Sequence, residues 1–268
     1  MAFTAAMFFV TSLGSGSAGN CALVETPQTR LLIDAGLSAR QTMQRLAACG
    51  VNPLEIDGIL LTHEHCDHAG ALEVWCKQWQ TPIFCNRTTA ESLQADGARS
   101  KDWRYFQTGS TFSIKDITVE TFPVPHDAVD PVGFVLHCGD GSLGVLTDLG
   151  KATKLAVERV RQAQTLLIET NHDEKLLQND TKRPWSVKQR IMSQHGHLSN
   201  GAAAAVLAEL LGGRLRRAVL GHLSRDCNSP ELAIGAARAR LDAVGGQGVE
   251  VFCASQREIT PRFAVAGV

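Results

Sequence analysis

The segment Thr62-His63-Glu64-His65-Cys66-Asp67-His68, which follows the apolar stretch Ile59-Leu60-Leu61, constrains this chain more than any other feature. Histidine and aspartate both ligate metals, and four such residues, His63, His65, Asp67 and His68, are packed here with no apolar packing role. In extended backbone successive side chains alternate, so His63 and His65 project to one side while Glu64 and Cys66 project to the other. The pattern predicts two converging imidazoles at the end of a strand. Asp67 and His68 then open the next helix and aim a carboxylate and a third imidazole at a second point nearby. Imidazole and carboxylate donors suit Zn²⁺, Mn²⁺ or iron, whereas a thiolate-rich set would point more narrowly to Zn²⁺.

The remaining chain reads as short strands in consecutive runs with helices between them. Runs rich in Val, Ile, Leu or Phe, bounded by Gly, Pro, Ser or Asn, predict strands at 8–12, 21–25, 30–34 and 58–62. Further strands are expected at 111–114, 117–124, 132–137, 144–148, 165–170, 217–222 and 249–254. Helical spacing fits 38–49, 69–79, 151–162, 185–194, 200–211 and 229–244. Such an order argues for an α/β chain in which two sheets pack face to face with helices outside, a four-layer αββα sandwich. No low-complexity linker interrupts it, so residues 1–268 are expected to form a single domain. The polar, irregular stretch 171–199 is expected to be a flap or an insertion near the site.

Composition narrows the partners and the compartment. A net charge of -1 gives no whole-molecule field that would recruit nucleic acid or an anionic membrane, so any polyanion site must be a local patch. The eight cysteines are scattered without a C-x-x-C pair, which suits reduced thiols and a cytoplasmic location. The opening MAFTAAMFFV has no basic residues before its apolar stretch, so a signal peptide is not expected. No apolar run reaches the roughly 20 residues of a membrane span. Neither a membrane nor an obligate protein partner is implied. The Ser-rich 12–17 stretch lacks G-x-S-x-G, which argues against a serine hydrolase.

In order along the chain stand Ile33-Asp34-Ala35-Gly36, the histidine motif at 63–68, Val124-Pro125-His126-Asp127, Val145-Leu146-Thr147-Asp148 and Leu220-Gly221-His222-Leu223. With these landmarks the sequence resembles the metallo-β-lactamase superfamily over almost its whole length. The resemblance implies that fold and two divalent ions, zinc or manganese, with iron as an alternative. It places one ion on His63, His65 and His126 and the other on Asp67, His68 and His222, with Asp148 bridging them. Asp34 would orient the histidine loop rather than ligate. Taken singly, Asp34 also fits a turn, His126 a plain loop residue and Asp148 a helix cap.

Within the superfamily the chain is most similar to the YycJ (WalJ) branch, a group linked to 5′-to-3′ DNA exonuclease activity. The segments that carry this are Thr11 to Asn20, Asp34 to Ser38, Val124 to Ala128, Pro131 to Phe134, Glu169-Thr170-Asn171-His172-Asp173 and Gly196-His197-Leu198-Ser199-Asn200. Cys66 and Cys227 depart from the expected small or polar residues, but neither replaces a ligand. Gly196-His197-Leu198-Ser199 resembles the histidine loop of tRNA 3′-processing ribonucleases, in which that histidine faces the scissile phosphate.

These resemblances imply a phosphodiesterase or nuclease acting on nucleic acid, DNA being favoured, with a metal-bridging hydroxide as nucleophile. Asp67 would orient that hydroxide and His197 would supply a proton. Asn171 and Arg225 are candidate substrate contacts, and His172 either contacts substrate or anchors the flap. Lys182, Arg183, Lys188, Arg190, Arg214, Arg216 and Arg217 form either a solvated face or a phosphate track, with Trp185 or Trp103 available to stack on a base. The alternative function is a small-molecule hydrolase acting on a lactone, β-lactam, thioester or cyclic phosphodiester with the same metals.

Overall fold

In a computed structural model that describes residues 7–98 and 100–265, the apolar segments pair into two seven-stranded sheets. The first half of the chain supplies β1 (Phe9–Gly14), β2 (Cys21–Glu25), β3 (Arg30–Ile33), β4 (Gly58–Leu60), β5 (Ile83–Cys85) and β6 (Trp103–Tyr105). The second sheet takes β7 (Thr111–Ile114), β8 (Ile117–Pro123), β9 (Val132–Cys138), β10 (Gly141–Leu146), β11 (Thr165–Glu169), β12 (Arg217–Gly221) and β13 (Glu250–Cys253). A last strand, β14 (Phe263–Ala264), returns to pair with β1. The sheet orders are β14-β1-β2-β3-β4-β5-β6 and β13-β12-β11-β10-β9-β8-β7. Each sheet is antiparallel at the hairpins and parallel where helices intervene.

The helices are α1 (Ala39–Ala48), α2 (Cys66–Ala69), α3 (Leu72–Gln78), α4 (Arg87–Ala95), α5 (Lys154–Val160), α6 (Glu174–Asn179), α7 (Trp185–Met192), α8 (Asn200–Glu209) and α9 (Pro230–Asp242). Along β3, Leu31 and Ile33 face the core between the sheets, together with Val10, Phe134, Val145 and Val219. Leu32 faces the opposite way, onto Leu46 of α1 and Trp75 of α3. The outer face of the second sheet is covered by α5, α8 and α9 through Val157, Leu207 and Leu241. Both faces of both sheets are thus buried, giving the αββα sandwich. Each fully buried leucine contributes roughly 2 kcal/mol.

Two local expectations needed correction. The single helix at 69–79 is instead two, α2 and α3. The Asp67 carbonyl accepts from Asn20 N at 2.8 Å, and Ala71 N donates to the Ala35 carbonyl at 2.8 Å, so the helical bond between positions 67 and 71 is diverted to the first sheet. The strand at 58–62 ends at Leu60, because Thr62 N donates to the Asp34 carboxylate at 2.8 Å and leaves the ladder. The stretch 171–199 contains α6 and α7 and places Arg183, Arg190 and Ile191 on the site's rim. No helix among the described residues is long and apolar enough to cross a membrane.

Candidate metal centre

Asp34 follows β3, His63 follows β4, Asp148 follows β10, Glu169 closes β11 and His222 follows β12. Because β3 and β4 run parallel, as do β10, β11 and β12, these residues emerge at carboxyl-terminal strand ends, where open α/β sheets place their ligand sites. Asp34, Asp148 and His222 all adopt left-handed backbone, with φ of 60°, 54° and 57°. That conformation costs a non-glycine residue about 1 to 3 kcal/mol and clusters at functional sites. Here it turns each chain sharply as it leaves the sheet.

The histidine loop is held from beneath. Asp34 accepts from Thr62 N at 2.8 Å and from Thr62 Oγ1 at 3.0 Å, and its other oxygen receives His68 Nδ1 at 2.7 Å. Ala35 N donates to the His68 carbonyl at 2.7 Å. A Cβ on Gly36 would collide with the Asp67 carbonyl, so only glycine lets the two loops approach this closely.

Above this support His63 and His65 have ring centroids 4.6 Å apart, and each lies 5.0 Å from His126. The imidazoles converge as expected, but through a bend at the start of α2 rather than along a strand. Donor atoms of His63, His65 and His126 lie within 4.8 Å of one another, as do those of Asp67, His68 and His222 and those of His63, His68 and Asp148. Asp148 Oδ2 is 2.9 Å from His68 Nε2, and its Oδ1 is 3.5 Å from His222 Nε2. His126 Nδ1 donates to the Gly196 carbonyl at 3.1 Å.

The donor chemistry fits divalent cations. His63 Nε2 is buried without a hydrogen-bond partner, a cost tolerated at a ligating nitrogen. Burial and the adjacent His68 hold His63 well below its usual range, and burial lowers His126 despite Asp148, so both present neutral imidazoles. Burial alone would raise Asp148, but His222 and His68 outweigh it and keep it well below the usual carboxylate range. Burial would likewise lower His222, which Asp148, Asp67 and Glu169 instead raise to about 10.

All seven residues singled out as ligands therefore come together, with Asp34 beneath them. His197 stands at the edge with its side chain 23% exposed, its Nδ1 on the Glu169 carboxylate at 2.7 Å and 3.4 Å from Asp148. Asn171 lines the cavity over the cluster and donates to the His222 carbonyl at 3.1 Å. His172 does not line that cavity. It is buried and bridges to Ser199, and its carbonyl accepts from Asn200 N. Cys66 is exposed and outside every donor set, and His195 is exposed.

Of the two readings of the basic residues, the phosphate track finds little support, because most of them are spent on internal pairs. Arg183 binds Asp180 and Asp226, Lys182 binds Asp226, and Arg190 pairs with Asp127. The buried Lys188 ammonium donates to the Gln178 carbonyl. Arg216 and Arg217 sit at the end of β12 opposite His222, and Arg217 pairs with Glu250. Arg214 lies just before that end and donates to the Asp140 carbonyl. Trp103 is half-buried against the first sheet's helix-side core, whereas Trp185 on α7 is exposed. Arg225 carries no ion pair or side-chain hydrogen bond among the described residues.

Glu169 was missed as a site residue by sequence reasoning. Its Oε1 meets His197 Nδ1 and His222 Nδ1 at 2.7 and 2.8 Å, and its Oε2 accepts from Leu198 N and Leu149 N at 3.0 and 3.2 Å. An acid closing the apolar run Thr165–Glu169 was the available signal. Asn20, whose Nδ2 lies 3.2 Å from His68 Nε2, was missed for want of any signal beyond its Gly/Ser surroundings.

A family profile described as "Beta-lactamase superfamily domain" matches residues 29–223. "Exodeoxyribonuclease WalJ" of Streptococcus pneumoniae serotype 2 (strain D39 / NCTC 7466) is 36% identical over 230 residues, covering 84% of this chain and 85% of that protein. "Exodeoxyribonuclease YycJ" of Bacillus anthracis is 35% identical over 223 residues, covering 82% and 84%. The crystal structure of the metallo-beta-lactamase fold protein YhfI from Bacillus subtilis superposes with a TM-score of 0.74 at 17% identity, over 96% of this chain and all of that one, a likeness of fold. From the family match and the identity shared with these two relatives, the chain belongs to the metallo-β-lactamase superfamily.

Proposed function

We propose that this chain is a two-metal-dependent phosphodiesterase that degrades DNA from its ends in the 5′-to-3′ direction. The observation that carries the reading is the character of the cavity over the donor cluster. It measures about 230 Å³, and among its described lining residues Ile191 is the one aliphatic side chain, the others being histidines, carboxylates, arginines, serines and Asn171. Pockets for small organic substrates are predominantly apolar, so a lactone or thioester has little to rest on here, whereas a phosphodiester is matched by polar groups. The names of the two curated relatives support a DNA substrate.

In this reading His63, His65 and His126 would hold one ion and Asp67, His68 and His222 the other, with Asp148, which lies against His68, His126 and His222, as a further carboxylate donor. Zinc or manganese fits these donors. A pair of divalent ions supplies an acidified water and stabilises charge on the attacking and leaving oxygens of a displacement at phosphorus. The protein's own groups do the rest. The Asp67 carboxylate, 23% exposed toward the cavity, orients the attacking water. His197 is fixed through Nδ1 by Glu169, which leaves Nε2 to hand a proton to the departing oxygen. Asn171 and Arg225 contact the strand, while His172 anchors the loop that carries Asn171. Residues 1–268 act as one catalytic domain in the cytoplasm.

The reading is tested by offering the purified protein with Mn²⁺ or Zn²⁺ to labelled single- and double-stranded DNA, RNA, a nitrophenyl phosphodiester and a nitrophenyl ester side by side. Turnover of DNA above the other substrates is expected. Hydrolysis of the ester with DNA left intact would favour the small-molecule alternative.

A further inference from the structure

Beside the cavity over the donor cluster lies a second one, of about 450 Å³, and the two share Ser17 and Ser224. Its walls come from the turns after β1, β12 and β13, and these turns are locked together. Gln256 accepts from Ala18 N and donates to the Gly19 carbonyl, both at 2.8 Å. Ser15 N donates to the Ser255 carbonyl at 3.0 Å, and the Arg45 guanidinium donates to the carbonyls of Leu13, Gln256 and Arg257. Ser15 Oγ also accepts from His222 N at 2.8 Å. The same turn that seats His222 therefore forms a wall of this second cavity.

Its charge is one-sided. Arg225 and Arg257 line it, both are exposed, and neither side chain has an ion pair or hydrogen bond among the described residues. No aspartate or glutamate lines it among the described residues. The arginines that line the cavity over the donor cluster are already neutralised, Arg183 by Asp180 and Asp226 and Arg190 by Asp127. The uncommitted positive charge next to the cluster is thus concentrated in one preformed cavity. Guanidinium groups match phosphate oxygens in a fixed, forked geometry.

We infer that this cavity is a phosphate subsite for the substrate strand, in which Arg225 and Arg257 grip a phosphate neighbouring the one that is cleaved. The inference rests on the phosphodiesterase reading and deepens it. It assigns Arg257 a role, gives Arg225 a partner and fixes the side of the donor cluster from which the strand is held. The phosphate is either a terminal phosphomonoester or an internal diester of the strand, and the two sources are separable.

The test uses the metal-loaded full chain with Arg225→Ala, Arg257→Ala and the double substitution, each checked for metal content and Tm. Substrates are one duplex carrying either a 5′-phosphate or a 5′-hydroxyl, and bis(4-nitrophenyl) phosphate. Each single substitution is expected to raise KM for DNA about tenfold. It should also reduce the slope of log KM against log salt by about 1, with a smaller loss on the nitrophenyl diester. A wild-type preference for the 5′-phosphate that vanishes in the double variant assigns the subsite to the terminal group. Equal losses on both ends assign it to an internal phosphate. If the alanine variants lose metal or melt earlier, Arg225→Gln and Arg257→Gln are read in their place by the same criteria. Unchanged KM and salt slope in a chain that does cleave DNA would overturn the subsite and leave the phosphodiesterase reading standing. A wild type that leaves all DNA intact would overturn both.

Discussion

The Glu169 carboxylate receives the Nδ1–H of His197 at 2.7 Å, and the same oxygen faces His222 Nδ1 at 2.8 Å. One buried acid therefore fixes the ring orientation of an imidazole at the cavity edge and of an imidazole inside the donor cluster. Burial would raise its pKa, but His197 and His222 outweigh that and hold it below the usual carboxylate range. Glu169→Gln keeps an acceptor oxygen for Leu198 N and Leu149 N but removes the charge. It is expected to cost about 10- to 100-fold in activity or metal affinity, as changes to groups that orient ligands do. Steady-state rates with metal analysis check this, and wild-type behaviour in both would show that the carboxylate orients nothing that matters.

His197 separates chemistry from metal binding, because it lies outside the ligand assignment while its free ring nitrogen is left for the substrate. His197→Ala is expected to retain both metals and to slow DNA cleavage by about 10² to 10⁴, the usual worth of general-acid catalysis. The loss should be much smaller on a nitrophenyl diester, whose leaving group needs no proton. Equal losses on both would assign His197 to positioning or charge neutralisation instead.

Removing a ligand should remove metal and turnover together. For His63→Ala and Asp148→Ala, metal analysis is expected to fall from about two ions per chain, with activity falling in parallel. Full activity in a metal-free protein would contradict the assignment of these residues.

Cys66 lies in the midst of the histidine motif yet is exposed and belongs to none of the donor sets. Cys66→Ser is expected to keep its metal content and most of its activity. Loss of one ion in this variant would place the thiolate among the ligands.

The convergence of these candidate donors was legible because they are dense, at 63–68, or stand at the ends of apolar strands, as Asp148 and His222 do. The sandwich was legible for the same reason, since long apolar runs such as β9 and β10 leave little choice of partner. What escaped were the helices α4 and α6 and short strands whose identity depends on pairing. β5 and β6 are three residues each, and β14 is two. The break between α2 and α3 depends on Asn20 and Ala35 claiming backbone groups from far along the chain, which no local pattern records. Glu169 escaped because an acid at a strand end usually meets water, and only the packing of β11 beneath two imidazoles makes it part of the site. The sequence left the basic stretch open between a solvated face and a phosphate track because its acidic partners, Asp127, Asp180 and Asp226, are dispersed along the chain.

Hydrolysis of DNA from an end should depend on metal. The most direct measurement tracks a 5′-labelled duplex with chelator-stripped protein before and after Mn²⁺ or Zn²⁺ is restored. No product is expected without metal, and release of the label as a 5′ nucleotide is expected once metal is returned, with His63→Ala inactive throughout. An intact duplex in the presence of a full complement of metal, or release that persists in the stripped protein, would contradict it.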